Sequence, residues 1–498
     1  MWITIKNKIG LGILFLILFA SCEKKSEKMV RWNVLFIAVD DLRPELGCYG
    51  KSYMHTPNID KLASEGRVFR NHFVHCAACG PSRSTLLSGN RTTNWDIFKN
   101  IRESGEKPDS IFSLPQLFKE NGYETVCLGK ISHQPGGVMD SLQTIYEVPY
   151  SWNKSYAPVG EWRDPWSAFF SYAGGKARTS YYGRPTNRTL PPYEAADVPD
   201  DGYADGLNAE EAIKQLNNLK DTTFFLAVGF YKPHLPFNSP KKYWDLYDPD
   251  KIPEAVYKQI PENVKSDICL HGSNNSYEPR GTYTWPDDTL WWQITPEREV
   301  KLKHGYCAAV SYVDAQIGKV LDELKNLGLD KNTIVVLWGD HGWHLGEYGI
   351  WGKYTNFDIA LNSPLIIKTP QISQPGVFAN GMVETIDIFP TLADLCDIPA
   401  PEYLKGISMK PALTNPSEVL KNYTIGERDA WGVHGITSRN DDYRLMVWID
   451  KQTGDTIDVN LFDNNEKPIP YHDISNDYPE MVKDLSGKIK YYVSDIPE

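Results

Sequence analysis

The strongest indication of the fold class is Asn33–Val39, with the sequence NVLFIAV. It is a continuous apolar run rich in β-branched residues, and it stops at Asp40-Asp41. A run of this kind is typical of a strand that is buried on both faces. Residues 56–65 then have helical spacing after a Thr-Pro boundary, which predicts the order strand, loop, helix.

The same alternation continues along the chain. The patterns predict helices at residues 111–121, 206–219 and 297–327, and strands at residues 124–128, 223–228 and 333–338. This order predicts an α/β sandwich in which helices flank a large, mostly parallel central sheet. Polar motifs follow four of the predicted strands, and ligands in open α/β sheets bind at the carboxyl ends of strands. We therefore expect the four motifs to lie close together at the edge of the sheet formed by the carboxyl ends of the strands.

The rest of the chain has weaker patterns. Residues 145–205 and 235–295 are rich in Pro, Gly, Tyr and Trp without periodicity, which predicts loops that wall or cover a site. A helix is predicted at 382–395, followed by a Pro-rich link. Short strand-like pieces and a terminal helix at 479–493 then predict a small α+β subdomain. The predicted domains are a large domain, 32–414, and a C-terminal subdomain, 415–498.

Composition excludes some classes of protein. Hydrophobic residues make up 41% and charged residues 23% of the 498 residues, as in globular proteins. The net charge of −12, from 52 basic and 64 acidic residues, and the lack of a basic run argue against a nucleic-acid or headgroup binder. A few Arg and Lys side chains could still hold a small anionic group locally.

The N-terminus reads as a targeting segment. Lys6 and Lys8 precede the apolar run at residues 9–20, which meets Ser21-Cys22. The run is too short to span a bilayer, and the small residue before Cys22 resembles a bacterial lipoprotein signal. We predict a signal peptide over residues 1–22 that is cleaved before a lipid-anchored Cys22, then a polar tether at 23–31. An ordinary cleaved signal is the alternative, and both predict export to the periplasm or cell surface.

Cys79 begins the motif CGPSR, which continues as STLLSG. A buried structural thiol is one interpretation, and a C-x-x-C pair with Cys76 is another. No thioredoxin-like context and no second ligand pair for zinc accompany that pair. Ser82 lacks the G-x-S-x-G elbow of a serine hydrolase. The chain's eight cysteines are scattered, and we predict no specific disulfide.

Charged and imidazole side chains follow the predicted strands. Asp40 and Asp41 follow one strand, and Asp340 and His341 follow another. Either pair alone could be a helix cap or a surface pair. Together their oxygens would suit a hard cation such as Ca²⁺ or Mg²⁺ better than zinc.

Two further motifs follow strands in the same way. Lys130 and His133 lie in GKISH, and His234 lies in YKPHLP. A lone His is more often a hydrogen-bonded structural residue, but its place at a strand end favours a site. Lys353, in WGKY, is close enough in sequence to His341 to reach the same edge, although alone it would read as a solvated surface lysine.

These stretches together resemble the type I, formylglycine-dependent sulfatases, most closely the iduronate-2-sulfatase subfamily and its bacterial relatives. The resemblance covers residues 33–395 and is thin in the loops and at the C-terminus. It is carried by NVLFIAVDDLRPELGCYG, TPNIDKLASEG, CGPSRSTLLSG, LGKISH, FLAVGFYKPHLPF, DHGWHLGEYGIWGK and DIFPTLADL. It implies the alkaline-phosphatase-like sulfatase fold.

The resemblance also implies a role for each motif residue. A maturation enzyme would oxidise Cys79 to formylglycine (3-oxoalanine), whose hydrate has one hydroxyl to attack sulfur and a second through which sulfate is later expelled. The implied ligands of one Ca²⁺ are Asp40, Asp41, Asp340, His341 and the modified residue 79. Arg83 and Lys130 would hold the hydrate. His133 would be the base, and His234 and Lys353 would bind sulfate, with His234 favoured as proton donor to the leaving alcohol.

The implied activity is hydrolysis of sulfate esters on a sulfated polysaccharide or oligosaccharide. A 2-O-sulfated uronic acid of a glycosaminoglycan is favoured, and algal glycans such as ulvan or carrageenan stay open. Two alternatives are a phosphomonoester or phosphonate hydrolase of the same superfamily, and an inactive surface glycan-binding lipoprotein. His344 has no implied role. The candidates for binding a substrate carboxylate are Arg43, Arg163, Arg178 and Arg184.

Overall fold

The computed structural model of the chain describes residues 31–139, 145–177, 190–270, 294–430 and 432–494. The signal peptide, Cys22 and most of the tether lie outside these residues, as do Arg178 and Arg184. In chain order the strands are β1 (Asn33–Val39), β2 (Arg67–Phe69), β3 (His72–Phe73), β4 (Glu124–Gly129), β5 (Lys154–Tyr156), β6 (Ser171–Tyr172), β7 (Lys176–Ala177), β8 (Tyr193–Ala196), β9 (Phe224–Phe230), β10 (Phe237–Pro240), β11 (Thr333–Gly339), β12 (His344–Leu345), β13 (Trp351–Gly352), β14 (Leu365–Lys368), β15 (Phe378–Ala379), β16 (Val383–Glu384), β17 (Thr424–Ala430), β18 (Val433–Arg439), β19 (Tyr443–Asp450) and β20 (Thr456–Asp463).

Helices connect and cover these strands. They are α1 (Pro57–Glu65), α2 (Cys79–Ser88), α3 (Lys99–Ser104), α4 (Leu114–Glu120), α5 (Pro165–Phe169), α6 (Ala204–Leu219), α7 (Lys241–Trp244), α8 (Ser266–Cys269), α9 (Pro296–Asn326), α10 (Asp358–Leu361), α11 (Ile388–Leu395), α12 (Lys410–Thr414) and α13 (Pro479–Ser494). Within the described ranges, no helix combines the length and the apolar character needed to cross a membrane.

An eight-stranded sheet forms the centre of the molecule. Its strand order is β15-β2-β14-β11-β1-β9-β4-β5. β14 runs antiparallel to both of its neighbours, and the other strands share one direction. The prediction of a large, mostly parallel sheet is therefore confirmed.

The register of the sheet brings the strand ends to one level. Val39 lies beside Gly339 on one side and beside Phe230 on the other, and Gly129 lies beside Gly229. β11, β1, β9 and β4 are consecutive neighbours in the sheet. The four polar motifs therefore leave the sheet side by side, as the sequence predicted.

Both faces of the sheet are covered by helices. One face of β1, formed by alternate residues that include Leu35 and Ile37, packs with residues of α6 and α9. The other face, which includes Val34 and Phe36, packs with residues of α2, α4 and α11. All seven residues of β1 are buried, because apolar side chains on both faces must be removed from water.

Some predicted elements differ from those observed. The predicted helix at 382–395 begins only at Ile388, because Val383 pairs with His72 across β16 and β3. Asp387 Oδ2 also accepts a hydrogen bond from the Glu384 amide at 2.8 Å and caps the turn before α11. The segment 145–205, predicted as irregular loop, includes the short elements β5 to β8 and α5 in its described part.

The C-terminal residues form an α+β layer, as predicted. β17 to β20 make an antiparallel sheet in that order, and α13 packs on one face of it. Asp358 of α10 accepts hydrogen bonds from Arg439 and Arg444 of this sheet, and links it to the central part. Trp32–Glu498 behave as one compact unit, and the predicted boundary between residues 414 and 415 falls directly after α12.

Candidate active site

Three carboxylates lie at the ends of β1 and β11. Asp40, Asp41 and Asp340 are all fully buried. Hydrogen bonds extend the sheet into the loops: the Asp340 amide donates to the Val39 carbonyl at 3.2 Å. Asp41 has a positive φ of 59°, and its amide donates to Asp340 Oδ1 at 2.9 Å. This turn brings the carboxylates of Asp40 and Asp41 within 4.8 Å of each other.

Three cations neutralise these carboxylates. Arg83 Nη2 lies 3.0 Å from Asp40 Oδ1 and its Nε lies 3.0 Å from Asp340 Oδ2. Lys130 Nζ lies 2.6 Å from Asp40 Oδ2, and Lys353 Nζ lies 2.7 Å from Asp41 Oδ1. Burying six charges is tolerable because each has an opposite partner at hydrogen-bonding distance.

The two carboxyls that share Arg83 have different acidities. Burial opposes ionisation of Asp40, but Lys130 and then Arg83 hold the pKa of Asp40 well below its usual range. Burial and the negative charge of Asp40 raise the pKa of Asp340. Asp40 is therefore a permanent anion, whereas Asp340 exchanges a proton more easily.

Cys79 lies at the N-terminus of α2 and points into this cluster. Its Sγ lies 3.0 Å from Lys353 Nζ, 3.3 Å from His341 Nε2 and 3.8 Å from Asp41 Oδ1. Burial and the charge of Asp40 raise the pKa of the Cys79 thiol well above its usual range. An unmodified Cys79 would therefore remain a thiol, which is a poor nucleophile.

Two histidines face the cluster with defined ring orientations. His341 Nδ1 donates to the Gly342 carbonyl at 2.9 Å, which leaves Nε2 as the acceptor beside Cys79. His234 Nδ1 lies 2.6 Å from the Leu235 carbonyl, and its Nε2 lies 3.9 Å from Asp41 Oδ2. Burial is the main cause, and the charge of Lys353 the second, of a lowered pKa in both rings, so both are neutral.

Two overlapping groups of side chains could hold a metal ion. Asp40, Asp41, Cys79 and His234 form one group, and Cys79, Asp340 and His341 form the other, with ligand atoms in each group within 4.8 Å of one another. Three buried carboxylates and an imidazole with a free lone pair fit a hard divalent cation. His234, which the resemblance assigned to sulfate, also lies within reach of such an ion.

His133 lies at the mouth of the site between two indole rings. Its ring centroid is 5.3 Å from that of Trp95 and 5.8 Å from that of Trp166. Burial and then Lys130 lower the pKa of His133 to about 3. His133 Nδ1 is buried and has no hydrogen-bond partner in the described part of the chain. The unprotonated ring is thus able to accept a proton.

Sequence reasoning missed Trp95. Its side chain is 45% exposed, and a Cβ at Gly80 would lie 2.4 Å from the indole, so only glycine lets the ring approach α2 this closely. Trp95 lies in the loop between α2 and α3, where no sequence pattern distinguishes it from other aromatic residues.

Sequence reasoning also missed the support of the His234 loop. Asp205 of α6 accepts hydrogen bonds from the Tyr231 and Lys232 amides, both at 2.8 Å. Lys232 Nζ donates to the carbonyls of His234 and Pro236 at 3.1 and 2.7 Å. These contacts hold the loop after β9, and only the tertiary structure brings Asp205 to it.

One sequence hypothesis needs correction. Arg43, a candidate for binding a substrate carboxylate, pairs instead with two carboxylates of the protein, because its Nε and Nη1 lie 3.0 Å from Glu45 and Glu347. His344, which had no implied role, begins β12, is fully buried and lies 2.8 Å from Thr355 Oγ1, so it serves within the fold. Arg163 is exposed, with a positive φ of 58°.

Comparisons with known proteins agree with this geometry. Residues 32–398 match the family described as "Sulfatase", and residues 346–494 match "N-sulphoglucosamine sulphohydrolase, C-terminal". The chain is 31% identical to iduronate 2-sulfatase of Mus musculus over 516 residues, which cover 89% of this chain and 91% of that protein. It is also 31% identical to a sulfatase of Formosa agariphila, over 86% of this chain and 82% of that protein.

A solved structure shares the fold. A phosphonate monoester hydrolase from Silicibacter pomeroyi superposes with a TM-score of 0.73 at 22% identity, over 93% of this chain and 95% of that one. The fold and the buried carboxylates thus define an alkaline-phosphatase-like hydrolase. Within that class the chain belongs to the sulfatase family and is a sulfuric ester hydrolase, as the resemblance predicted.

Proposed function

We propose that this sulfatase uses a formylglycine formed from Cys79, together with one Ca²⁺, to hydrolyse sulfate esters of a sulfated oligosaccharide or polysaccharide. The observation that carries the proposal is the position of Cys79 Sγ, within 3.3 Å of both Lys353 Nζ and His341 Nε2. A nucleophile formed at this atom would lie directly against the cationic and metal-binding side chains.

The charge of the site supports an anionic substrate and a divalent cation. Asp40, Asp41 and Asp340 carry three negative charges at most, and Arg83, Lys130 and Lys353 carry three positive ones. A sulfate monoester and an ionised hydroxyl would each add one negative charge, which a divalent cation balances. Held by Asp40, Asp41, Asp340 and His341, the ion would supply a fixed positive charge for the nucleophile and for a sulfate oxygen.

The cations have separable roles. Arg83 is fully used within the protein, since its remaining donors contact the Lys130 and Ile131 carbonyls, so it holds Asp40 and Asp340 in place. Lys130 is fixed on Asp40 with its Nζ 4.3 Å from the Phe169 ring centroid. Lys353 alone lies directly against Cys79, and it is positioned to hold the sulfuryl group. Preorganised charges of this kind stabilise a transition state without further reorganisation.

The proton transfers fall to the two histidines. His133 is unprotonated, because burial and Lys130 lower its pKa, and it would take up the proton that is released when sulfate is expelled. His234 is neutral before substrate binds, because burial and Lys353 lower its pKa. A bound sulfate ester opposes this effect by its negative charge, and so favours a protonated His234 that can donate to the leaving alcohol.

The surroundings of the site support a carbohydrate substrate. Exposed Trp95 offers a flat apolar face, and sugar rings stack on such faces. The similarity to iduronate 2-sulfatase over most of both chains supports a 2-O-sulfated uronic acid unit. Algal glycans such as ulvan or carrageenan are the alternative source of the sulfated sugar.

The cellular setting is also a proposal. The chain would be exported, matured by a formylglycine-generating enzyme, and anchored to a membrane only through a lipid on Cys22, in the periplasm or at the cell surface. Fractionation of the native host tests the anchor: the Cys22→Ser protein is expected in the soluble fraction, and its retention in the membrane fraction would contradict a lipid on Cys22.

The deciding experiment examines Cys79 directly. Peptide mass spectrometry of the protein purified from its native host is expected to show an aldehyde in place of the Cys79 thiol, and sulfate should be released from an aryl sulfate. The Cys79→Ala protein, which cannot be modified, is the matched control and should be inactive. An unmodified thiol in an active enzyme would contradict the mechanism, and a strong preference for an aryl phosphate would favour the phosphoester-hydrolase alternative.

A further inference from the structure

Arg428 of β17 is a buried guanidinium for which the described residues supply no anionic partner. Only 6% of the residue is exposed, and Nη1 has no hydrogen-bond partner among the described residues. Other buried arginines of this sheet are paired: Arg439 and Arg444 both contact the Asp358 carboxylate. Burying an unpaired charge is costly. An anion bound beside Arg428 would remove this cost, and the described part of the chain does not provide one.

The described groups that influence the charge of Arg428 also include no carboxylate. Burial lowers the pKa of Arg428 to about 10. The groups that partly offset this decrease by raising the pKa are Cys76, Cys269 and Tyr354. None of these is a carboxylate. Glu427, the neighbouring residue in β17, contacts His75 and so uses its charge elsewhere.

A second buried polar side chain lies on the same side of the sheet. Arg428 pairs across the ladder with Gly435, and a Cβ at Gly435 would lie 3.0 Å from Asn356 Nδ2. Asn356 is fully buried, and neither Oδ1 nor Nδ2 has a partner within the described ranges. The same Cβ would lie 2.4 Å from the Trp448 ring, so the glycine leaves room beside Arg428 for the indole and for the Asn356 amide, whose nitrogen adds two unused donors.

Both side chains adjoin the active site. Cys76, a neighbour of Arg428, precedes Cys79 by three residues. Tyr354, the other neighbour, follows Lys353, and its amide donates to the Ala77 carbonyl at 3.1 Å. The strand that carries Arg428 is tied to the same segment, because the Glu427 amide donates to the His75 carbonyl at 2.7 Å.

We propose that Arg428 and Asn356 form a second anion-binding subsite, which receives a further negatively charged group of the saccharide whose sulfate ester is cleaved. This inference rests on the proposed function and deepens it, because it makes the substrate at least dianionic. A sugar carboxylate and a second sulfate share the required chemistry. Arg428, and not Arg43, would then bind the second anionic group of the substrate.

The test compares substrates with and without the second anion. The probes are a 2-O-sulfated hexuronic acid disaccharide, its carboxyl methyl ester, a disulfated neutral hexose with its monosulfated counterpart, and 4-nitrophenyl sulfate. The variants are Arg428→Met, Arg428→Lys and, as a control in the turn after β19, Lys451→Met. Lys451 is half-exposed and pairs with Asp429 at the surface.

Arg428→Met is expected to lower kcat/KM on the dianionic probes by about ten- to a hundredfold, mainly through KM, as the loss of a charged hydrogen bond implies. Arg428→Lys should recover part of the loss. Activity on 4-nitrophenyl sulfate and on the methyl ester should be unchanged. Loss on the carboxylated probe alone identifies a carboxylate, and loss on the disulfated hexose alone identifies a sulfate.

Thermal unfolding separates this role from a structural one. Because Arg428→Met removes an unpaired buried charge, its Tm should equal or exceed that of the wild type. A fall in Tm, or an equal loss on all probes, would overturn the subsite. Failure of the wild type to release sulfate from any probe would instead refute the proposed function.

Discussion

At the scale of single residues, Lys353 makes the contacts on which the proposed chemistry depends most. Its Nζ contacts Asp41 Oδ1 at 2.7 Å and Cys79 Sγ at 3.0 Å. Lys353→Met keeps the length of the side chain and removes the charge, so kcat/KM on an aryl sulfate should fall by about a hundredfold or more. Steady-state assays of purified protein measure this.

The matched control is Lys331→Met, which removes an exposed lysine just before β11, at the end of that strand opposite to Asp340, and should leave kcat/KM unchanged. A folded Lys353→Met protein with the activity of the wild type would show that another cation holds the sulfuryl group.

Single residues also mark where sequence patterns carry information. Asp40, Asp41 and Cys79 stand in motifs that point to chemistry, and the structure brings their side chains into one cluster. Arg428 and Trp95 stand in no motif. Their roles depend on neighbours that are distant in sequence, such as Cys76 beside Arg428 and His133 beside Trp95.

At the scale of elements, β3 and β16 meet around His72. Its Nδ1 lies 3.0 Å from the Ser363 carbonyl, and its Nε2 lies 3.1 Å from Thr385 Oγ1. Burial lowers the pKa of His72 from 6.5 to about 4. Between these pH values the unfolded chain binds a proton that the folded chain does not bind. The stabilising contribution of neutral His72 is therefore complete above pH 6.5 and is lost as the pH falls toward 4.

His72→Gln should consequently be less stable than the wild type at neutral pH, by about 1 kcal/mol for the lost hydrogen bonding. The difference in unfolding free energy between the two proteins should shrink as the pH falls below 6.5 and reverse in sign before about pH 4, because the loss across this range exceeds about 1 kcal/mol. Urea denaturation across this range measures it. A difference that stays constant or grows on acidification would contradict a neutral buried His72.

Some strands can be predicted from their own sequence, whereas others form only through contacts with distant segments. β1, β9 and β11 are continuous apolar runs, so the sequence alone predicts them, although not the order in which they pair. The segment before α11 is predicted as helix because it runs directly into the helical pattern of DIFPTLADL. Pairing of Val383 with His72 makes it a strand, and such a non-local contact leaves no periodic signal.

At the scale of the whole molecule, the proposed calcium site links two strand ends that are about 300 residues apart in sequence. A cation bound there relieves the repulsion among Asp40, Asp41 and Asp340. Adding Ca²⁺ to chelator-treated protein should therefore raise Tm. The gain in unfolding free energy should approach about 2.7 kcal/mol when the free ion exceeds its Kd a hundredfold.

Thermal unfolding with Ca²⁺, with Mg²⁺ and with matched NaCl measures this effect. Asp41→Asn is the control, because it removes one ligand, and its Tm should respond much less to Ca²⁺. Equal responses of both proteins, or a response to NaCl alone, would contradict a specific site at these carboxylates.

The α/β class, the strands with polar ends and Cys79 as the candidate reacting residue could be predicted from the chain alone, because apolar runs and the Cys79 motif are local properties. Only the tertiary structure decided that β11, β1, β9 and β4 are neighbours and that Arg83 bridges Asp40 and Asp340. It also decided that Arg43 is engaged while Arg428 is not. The physical reason is that charge pairing and burial depend on contacts between segments far apart in sequence, which no local pattern encodes.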